Sequence, residues 1–466
     1  MHRTAVLNVV GLTPSLIGAH TPHLAALARD GAMAPIRAVT PAVTCSAQAT
    51  YLTGLLPRDH GIVGNGWYFR DLAQIWFWRQ ANRLVNGEKV WETARRAGAA
   101  CTCAKMFWWY NMYSSADWSV TPRPIYPADG RKIPDIYSQP ANLRERLTAE
   151  IGAFPFFKFW GPDAGIESSR WIAAASAAVE RWLSPSLLLV YLPHLDYNMQ
   201  RLGPGHPDVQ GDVRAIDEIC GKLIASLRAR GLRIIVLSEY GLVDVRRPVH
   251  INRALREAGL LSVREELGTE ALDPGESRAF AVSDHQIAHV YVRDAADIED
   301  VRRVLRGISG VDAVLDRREQ ASLGLDHERS GELVALSAHD AWFTYYYWLD
   351  DRVAPDYART VDIHRKPGYD PAELFLDPTL SAPKLRVAAT FAKKKLGFRY
   401  LMNVIPLDAS LVRGSHGRVT ERHDDGPVLI SSERDAIDGP LEATAVRDVI
   451  LAHLLENHAS VRGVRL

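Results

Sequence analysis

SLLLVYL, at residues 186–192, is a continuous apolar run with the length of one β-strand. LRIIVL, at residues 232–237, is a second run of the same kind. Amphipathic helical patterns at about 168–183 and 208–229 flank and separate the two runs. Strands that are apolar throughout are buried on both faces, as in a parallel sheet covered by helices. The runs therefore predict a doubly wound, mostly parallel α/β fold with helices on both faces, in which ligands bind beyond the carboxyl ends of the strands.

The N-terminal part of the chain has the same alternation. A strand is predicted at about 4–12, and a helix starts at Pro22, after Thr21, and stops at Gly31. A short strand near 33–40 is followed by a helix over 46–53 that Gly54 ends. Thr44 is therefore expected just before a helix N-terminus.

Length and composition limit the architecture and the partners. With 466 residues the chain exceeds one hydrophobic core of about 250–300 residues. We predict a catalytic α/β core over 1–279 and 401–466, an aromatic and proline-rich insertion at about 105–165, and an α+β cap over 280–400. The formal net charge is zero, which argues against nucleic acid or an acidic membrane as a partner. The four cysteines form no CxxC pair and no apolar stretch spans a bilayer, so we expect reduced thiols and a cytoplasmic location.

Six short motifs in order resemble one family. They are TPHLAAL at 21–27, PAVT at 41–44, LTGLLP at 52–57, HGIVGN at 60–65, LPHLD at 192–196 followed by GP at 203–204, and GSHG at 414–417. The sequence they form resembles the type I phosphodiesterases and nucleotide pyrophosphatases of the alkaline phosphatase superfamily. The resemblance covers the sheet-forming parts and leaves the aromatic segment and the cap unmatched.

The resemblance implies roles for Thr44 and Asn65. In the family the threonine is transiently phosphorylated or nucleotidylated, and the asparagine donates a hydrogen bond to a phosphate oxygen. Both roles suit the chemistry, because a helix N-terminus attracts a phosphate and an amide stabilises charge without acting as a base. The alternatives are an ordinary helix N-cap for Thr44 and a turn residue for Asn65.

The resemblance also implies a metal centre with altered ligands. The family binds two zinc ions through three aspartates and three histidines. The matching positions here are Asn8 (with Val10 as a second candidate), Asp196, Gln200, Glu239, Tyr240 and His416. Because two imidazoles are replaced by oxygen donors, the set favours harder cations such as Mg²⁺, Mn²⁺ or Ca²⁺ over zinc. We therefore expect one or two divalent ions, with Zn, Mn and Mg as candidates.

Other side chains could restore lost ligands. SDHQIAH, at 283–289, carries Asp284, His285 and His289, and the two histidines share a face if the segment is a strand. His206 lies in a loop that follows Asp196. The alternatives are that the residues of the 283–289 segment are ordinary polar residues at a strand entrance, and that His206 is an ordinary solvated loop histidine.

Two segments are candidates for substrate binding. FWWY, at 107–110, includes Trp108, Trp109 and Tyr110, which could stack on a base or a sugar, or could belong to the core. HRKPGYD, at 364–370 in the predicted cap, could present cations to a phosphate, or could be a solvated loop.

Together these observations predict a metal-dependent phosphoric ester hydrolase of the phosphodiesterase or nucleotide pyrophosphatase type. It would act on a small phosphate ester, with a nucleotide-linked ester as one candidate, through a covalent phospho- or nucleotidyl-threonine at Thr44. The competing hypothesis is a catalytically degenerate member that binds a nucleotide or sugar phosphate. The replaced ligands favour that alternative, whereas the retained threonine, asparagine and helix favour the enzyme.

Overall fold

The computed structural model describes residues 1–128, 131–381, 390, 392–393, 401–455 and 461–462. Within these residues, nine strands form a central sheet. From one edge to the other they are Leu441–Glu442, Ala32–Arg37, Val428–Ser431, Arg233–Leu237, Thr4–Val9, Leu187–Leu192, Cys103–Met106, Trp118–Pro122 and Ile136–Gln139.

The middle of this sheet is parallel. Five neighbouring strands, from Arg233–Leu237 to Trp118–Pro122, run in one direction, and Val428–Ser431 and Ile136–Gln139 run against their neighbours. Every residue of Thr4–Val9 and Leu187–Leu192 is buried, as their unbroken apolar character requires. The predicted doubly wound, mostly parallel sheet is confirmed.

Helices cover both faces and the ends of the sheet. The α-helices are Pro22–Asp30, Thr44–Thr53, Pro57–His60, Val90–Arg96, Asn142–Ile151, Ile166–Leu183, His194–Leu202, Val209–Ala229, Ile251–Glu257, Ile298–Arg306, Arg317–Ser322 and Val446–Leu454. Short 3-10 turns lie at Pro14–Leu16, Arg70–Leu72, Asn82–Leu84, Phe156–Lys158, Ala295–Asp297, Asp351–Val353, Pro371–Leu374, Ala409–Leu411, His423–Asp425 and Ala443–Ala445. No helix among the described residues is both long and apolar enough to cross a membrane.

A second sheet is wholly antiparallel and has its own core. Its strands, in order, are Ala279–Asp284, Ile287–Val292, Leu333–Ser337 and Val311–Leu315. Short two-stranded pairs complete the fold: Gly66–Phe69 with Gln74–Phe77, Arg247–Val249 with Ala341–Phe343, Val243–Asp244 with Gly414–Ser415, Val263–Glu266 with Thr269–Leu272, and Ile437–Asp438 with Val461–Arg462.

The second sheet falls inside the predicted cap, whereas the predicted insertion contributes to the main sheet. Residues 103–139 supply three strands at one edge of the central sheet. Residues 382–389, 391 and 394–400 of the predicted cap, and 456–460 and 463–466 of the predicted core, lie outside the described residues. The division into core and cap stays a prediction.

Candidate active site

Residues from separate segments meet at the carboxyl edge of the central sheet. Asn8 lies at the end of the first strand, Asp196 lies in the first turn of the helix His194–Leu202, and Glu239 follows the strand Arg233–Leu237. His416 follows Gly414–Ser415, just before the chain enters the sheet again at Val428. The parallel strands end at the same edge, which brings these side chains together.

Thr44 lines a large cavity. It is the first residue of the helix Thr44–Thr53, and it lines a cavity of about 630 Å³ together with Asn65, Asp196, Tyr240 and His416. Its hydroxyl lies 3.4 Å from the phenol oxygen of Tyr240. The helix N-terminus presents backbone N–H groups and the positive end of its dipole, so the part of the cavity beside Thr44 favours an anion.

Asn65 is held rigidly beside Thr44. Its Oδ1 accepts the backbone N–H of Cys45 at 3.0 Å, and its Nδ2 donates to Asp284 Oδ1 at 3.1 Å. Its backbone N–H donates to Asp284 Oδ2 at 2.8 Å. The amide nitrogen carries two hydrogens, so one remains for an oxygen in the cavity.

Asp284 and His285 reach this site from the second sheet. Asp284 ends the strand Ala279–Asp284, and the next residue, His285, has a left-handed backbone with φ 64°. His285 Nδ1 lies 2.8 Å from Asp284 Oδ1, while its buried Nε2 has no hydrogen-bond partner. Burial raises the pKa of Asp284 to about 6, although hydrogen bonds from Asn65 oppose the shift. The site is therefore built from both sheets.

Asp196 is surrounded by neutral donors. Gln200 Nε2 donates to Asp196 Oδ2 at 2.6 Å, and the Tyr240 hydroxyl lies 3.4 Å from Oδ1. Gln200 also contacts the hydroxyl of Tyr369 at 3.0 Å. Burial raises the pKa of Asp196 to about 7, with the hydrogen bonds of Gln200 and Tyr240 opposing it.

His416 is oriented like a ligand. Its Nδ1 donates to the carbonyl of Ala42 at 2.8 Å, which leaves an unpaired Nε2 lying 3.9 Å from Asp196 Oδ1. Its ring stacks on Tyr240, with centroids 3.5 Å apart. Burial lowers the pKa of His416 well below its ordinary value, so the imidazole is neutral and its free nitrogen carries a lone pair.

Glu239 is bound by two amides. Asn8 Nδ2 and Gln48 Nε2 donate to its Oε1 at 2.5 and 2.6 Å. Gln48 is fixed because its own Oε1 accepts the backbone N–H of Trp109 at 2.8 Å. Burial raises the pKa of Glu239 to about 8, although the hydrogen bonds from Gln48 and Asn8 lower it. Gln48 is absent from the sequence-based candidates, although it lies one helical turn after Thr44 and so shares its face.

Two predicted histidines lie elsewhere. His289 is buried within the second sheet, where Nε2 contacts the carbonyl of Val63 at 2.8 Å and Nδ1 accepts the N–H of Gly331 at 3.2 Å. Both of its nitrogens are thus occupied. His206 is exposed in its loop, with its Nδ1 accepting the N–H of Asp208 at 3.2 Å. Neither histidine lines the cavity.

Three of the residues that match the family's metal ligands, Asn8, Glu239 and Tyr240, do not fit a metal ion. Asn8 and Gln48 direct N–H groups at the carboxylate of Glu239, and Tyr240 supplies a phenol in place of an imidazole. Amide hydrogens repel a cation from the oxygen that would bind it, and the phenol is protonated because burial raises the pKa of Tyr240 well above its ordinary value.

Asp196 and His416 fit a metal ion better. Asp196 supplies a carboxylate, and His416 supplies a free Nε2 whose other nitrogen donates to a carbonyl, the usual orientation of a metal-ligating histidine. The unpaired Nε2 of His285 is close by, since the two imidazole centroids are 3.7 Å apart. Across the described residues, no three His, Cys, Asp or Glu side chains are arranged to hold an ion, so water or substrate would have to complete the coordination.

Aromatic rings form the walls of the cavity. Of the predicted residues Trp108, Trp109 and Tyr110, only Trp109 lines it. Trp108 is buried in the main core, and Tyr110 is buried in the same hydrophobic cluster as Trp109. Rings from other parts of the chain also line it: Trp76, Trp78, Tyr113, Tyr126, Phe156, Phe159, Trp160 and Tyr369. The ring centroids of Trp78 and Trp109 lie 4.8 Å apart.

Cations complete the walls. Arg79, Arg123 and Lys132 line the cavity, and the guanidinium of Arg79 stacks on Trp76 at 3.8 Å. His364 also lines it, but burial lowers its pKa to about 4, so its imidazole is neutral. Lys366, from the predicted cationic run, is instead buried in an ion cluster with Asp370 and Glu373. The cavity therefore offers aromatic surfaces with positive charges among them.

Comparison with known proteins agrees with this geometry. The model of the family described as type I phosphodiesterase/nucleotide pyrophosphatase matches residues 4–370. The chain belongs to this family. A Schizosaccharomyces pombe protein described as an uncharacterized pyrophosphatase/phosphodiesterase is 26% identical over 234 residues, which are 48% of this chain and 41% of that relative. The chain thus matches less than half the length of this relative.

Solved structures show the same fold. An inactive variant of murine ectonucleotide pyrophosphatase/phosphodiesterase 5, in complex with AMP, is 14% identical with a TM-score of 0.59, covering 100% of this chain and 97% of its own. Phosphonoacetate hydrolase from Sinorhizobium meliloti, in complex with phosphonoformate, is 15% identical with a TM-score of 0.60, and the match covers 97% of this chain and 96% of its own. This family member therefore has an alkaline phosphatase-like fold throughout.

Proposed function

We propose that this family member is a phosphoric ester hydrolase in which Thr44 attacks phosphorus and forms a covalent phospho- or nucleotidyl-threonine. The observation that carries the proposal is the position of Thr44, at a helix N-terminus that lines the cavity, with Asn65 fixed beside it. The helix dipole and the free hydrogen of Asn65 would stabilise the charge that develops on the phosphate oxygens.

The substrate we propose is a small phosphate ester with an aromatic group, such as a nucleotide-linked ester. The Trp78 and Trp109 rings, which line the same cavity, provide a stacking surface, and Arg79 provides a charge for a further anionic group. The AMP complex of the murine neighbour supports a nucleotide-type ligand for this fold.

The buried, unpaired cysteines support the expected cytoplasmic location.

We further propose that one divalent cation, rather than two, takes part. Asp196 and His416 would hold it, with His285 as the nearest further donor. A cation bound there supplies charge neutralisation for the phosphate. A carboxylate suits Mn²⁺ and imidazoles suit Zn²⁺, so we expect both metals to support turnover.

Assays of chelator-treated protein test these proposals. We expect hydrolysis of a nitrophenyl nucleotide ester to depend on added Mn²⁺, Mg²⁺ or Zn²⁺, and elemental analysis of the reloaded protein to give one ion per chain. His416→Ala should lose that ion, because it removes the oriented nitrogen. Binding of AMP in a calorimeter without turnover under any metal would instead support the degenerate binder.

Trp109 and Trp108 provide a matched pair for the stacking surface. We expect Trp109→Ala to raise KM for the nucleotide ester by about 5- to 150-fold with a small change in kcat, since a stacked base contributes about 1–3 kcal/mol. Trp108→Ala should lower the unfolding temperature and leave KM of the remaining folded protein nearly unchanged, because Trp108 is buried in the core. Equal effects of the two substitutions on KM would contradict this assignment.

A further inference from the structure

The cavity that contains Thr44 has more positive charge than one phosphodiester can balance. Three cationic side chains line it, those of Arg79, Arg123 and Lys132. Asp196 is the one acidic side chain among the described residues that line it, and the proposed function assigns it to a divalent cation. A phosphodiester carries a single negative charge, which would face that cation. No described lining residue is left to balance the three cationic side chains.

Arg79 lies on a loop that is fixed on both sides of it. The backbone N–H of Trp78, the preceding residue, donates to the carbonyl of Asn65 at 2.9 Å. The carbonyl of Gln80, the following residue, accepts the N–H of Met112 at 2.9 Å. The loop is therefore anchored directly to Asn65, the residue that lies beside the nucleophile.

The guanidinium of Arg79 is stacked and lacks a partner. Its carbon lies 3.8 Å from the ring centroid of Trp76, and its Nε is buried without a hydrogen-bond partner. Burial alone lowers the pKa of Arg79, and no described carboxylate opposes that shift. A guanidinium that is stacked through its face keeps its in-plane N–H groups, whose fork matches the oxygens of a phosphate or a carboxylate. Arg79 therefore presents an anion site in the cavity.

This anion site is separate from the rings that lead to the reacting phosphate. Trp78, which belongs to the proposed stacking surface, approaches Tyr369 beside the proposed cation site, with ring centroids 6.1 Å apart. Trp76, on which Arg79 stacks, packs instead against Phe69, with centroids 5.0 Å apart. An aromatic group stacked on Trp78 would thus have the reacting phosphate on one side and Arg79 on the other.

Resting on the proposed function, we propose that the substrate carries a second phosphate group beyond its aromatic group, and that Arg79 is the specificity-determining residue that binds it. Lys132 and Arg123 add positive charge to the same cavity. Three cationic side chains suit the nearly double charge of a terminal phosphate better than the single charge of a carboxylate. The substrate class is then a nucleoside-type bisphosphate ester. Arg79 takes no part in the bond-breaking step, so its contribution should appear chiefly in KM.

A matched pair of substrates tests the inference: the nitrophenyl ester of thymidine 5′-phosphate, with and without a further 3′-phosphate. We expect kcat/KM of the unmodified protein to be about 10- to 150-fold higher for the ester with the 3′-phosphate, since hydrogen bonds between charged groups contribute factors of that size. Arg79→Met should remove this preference, chiefly by raising KM for the 3′-phosphate ester. Absence of the preference in the unmodified protein, or an equal loss on both esters in the variant, would overturn the inference.

Arg83→Met is the matched control from the same loop. The Arg83 guanidinium lies 5.9 Å from the ring centroid of Tyr113, but Arg83 is exposed and does not line the cavity. We expect this variant to keep the full preference for the 3′-phosphate ester. If it lost the preference as Arg79→Met does, the effect would come from the general charge of the loop, and Arg79 would not be the binding residue.

Calorimetric binding gives a readout that needs no turnover. Adenosine 3′,5′-bisphosphate should bind more tightly than AMP by about the same factor, and Arg79→Met should remove the difference. ADP is the third ligand, because its second phosphate adjoins the first. An Arg79-dependent gain for ADP as large as that for the bisphosphate would overturn the proposed placement. A protein that hydrolyses no ester but keeps the Arg79-dependent preference for the bisphosphate would reject the proposed function and support this inference.

Discussion

Thr44→Ala is expected to abolish hydrolysis of phosphate esters while the protein stays folded. The substitution removes the hydroxyl that would bond to phosphorus, and losing the nucleophile of a covalent mechanism costs on the order of 10³-fold or more in kcat. No other hydroxyl among the described cavity residues lies at a helix N-terminus beside Asn65. Acid quenching of the unmodified protein during turnover should trap a phosphorylated or nucleotidylated peptide that contains Thr44, and mass spectrometry should find none in the variant.

Thr53→Ala is a matched control from the other end of the same helix. Thr53 is also buried, but its hydroxyl donates to the carbonyl of Ala49 at 2.7 Å and does not line the cavity. We expect its loss to leave kcat nearly unchanged, even if the melting temperature falls. Turnover by Thr44→Ala at the unmodified rate, under metal-replete conditions, would rule out the covalent mechanism.

Much of the fold could be predicted because buried strands are recognisable in the sequence as apolar runs. The strands Leu187–Leu192 and Arg233–Leu237 are apolar runs because helices cover both faces of the sheet. Thr44 and Asp196 could be placed near each other for the same reason, since residues that follow parallel strands share one edge. Local signals and topology were sufficient for these residues.

The parts of the site that could not be predicted depend on contacts between segments that are distant in sequence. Asp284 meets Asn65 across 219 positions of sequence, and nothing near either residue in the chain indicates this. Trp108 and Trp109 are adjacent but point into different environments, because the loop has left-handed backbones at Phe107 and Tyr110 and no regular period. A pattern that assumes helix or strand periodicity does not apply to such a loop.

The predicted cationic run illustrates how burial changes the role of a charge. Lys366 is 1% exposed, and its ammonium lies 2.6 Å from Asp370 Oδ2 and 2.8 Å from Glu373 Oε1. Glu373 in turn accepts the indole N–H of Trp160 at 2.6 Å. This cluster fixes the segment that carries Tyr369, whose ring stacks on His285 with centroids 3.6 Å apart. Lys366 therefore supports the wall of the cavity rather than contacting a ligand in it.

Lys366→Met is expected to destabilise the protein strongly. Methionine has a similar length, so the chief change is that two buried carboxylates lose their shared cation. Breaking a buried ion pair in this way costs about 3–5 kcal/mol. Protonation of Asp370 would relieve part of that cost, because burial raises its pKa and the loss of Lys366 would raise it further. We expect a clear fall in the midpoint of thermal or urea unfolding, followed by circular dichroism.

Lys222→Met is the control for this prediction, because it removes the same charge from the surface. Lys222 lies 3.8 Å from Glu218, with 83% of its side chain exposed, so water replaces the lost contact and the cost should be less than about 1 kcal/mol. Equal midpoints for the two variants would mean that the Lys366 cluster is solvated in solution. A lower unfolding midpoint for Lys366→Met alone would show that the cluster is buried in solution. If KM for the nucleotide ester also rises in the protein that remains folded, the buried charges help to shape the cavity through Tyr369.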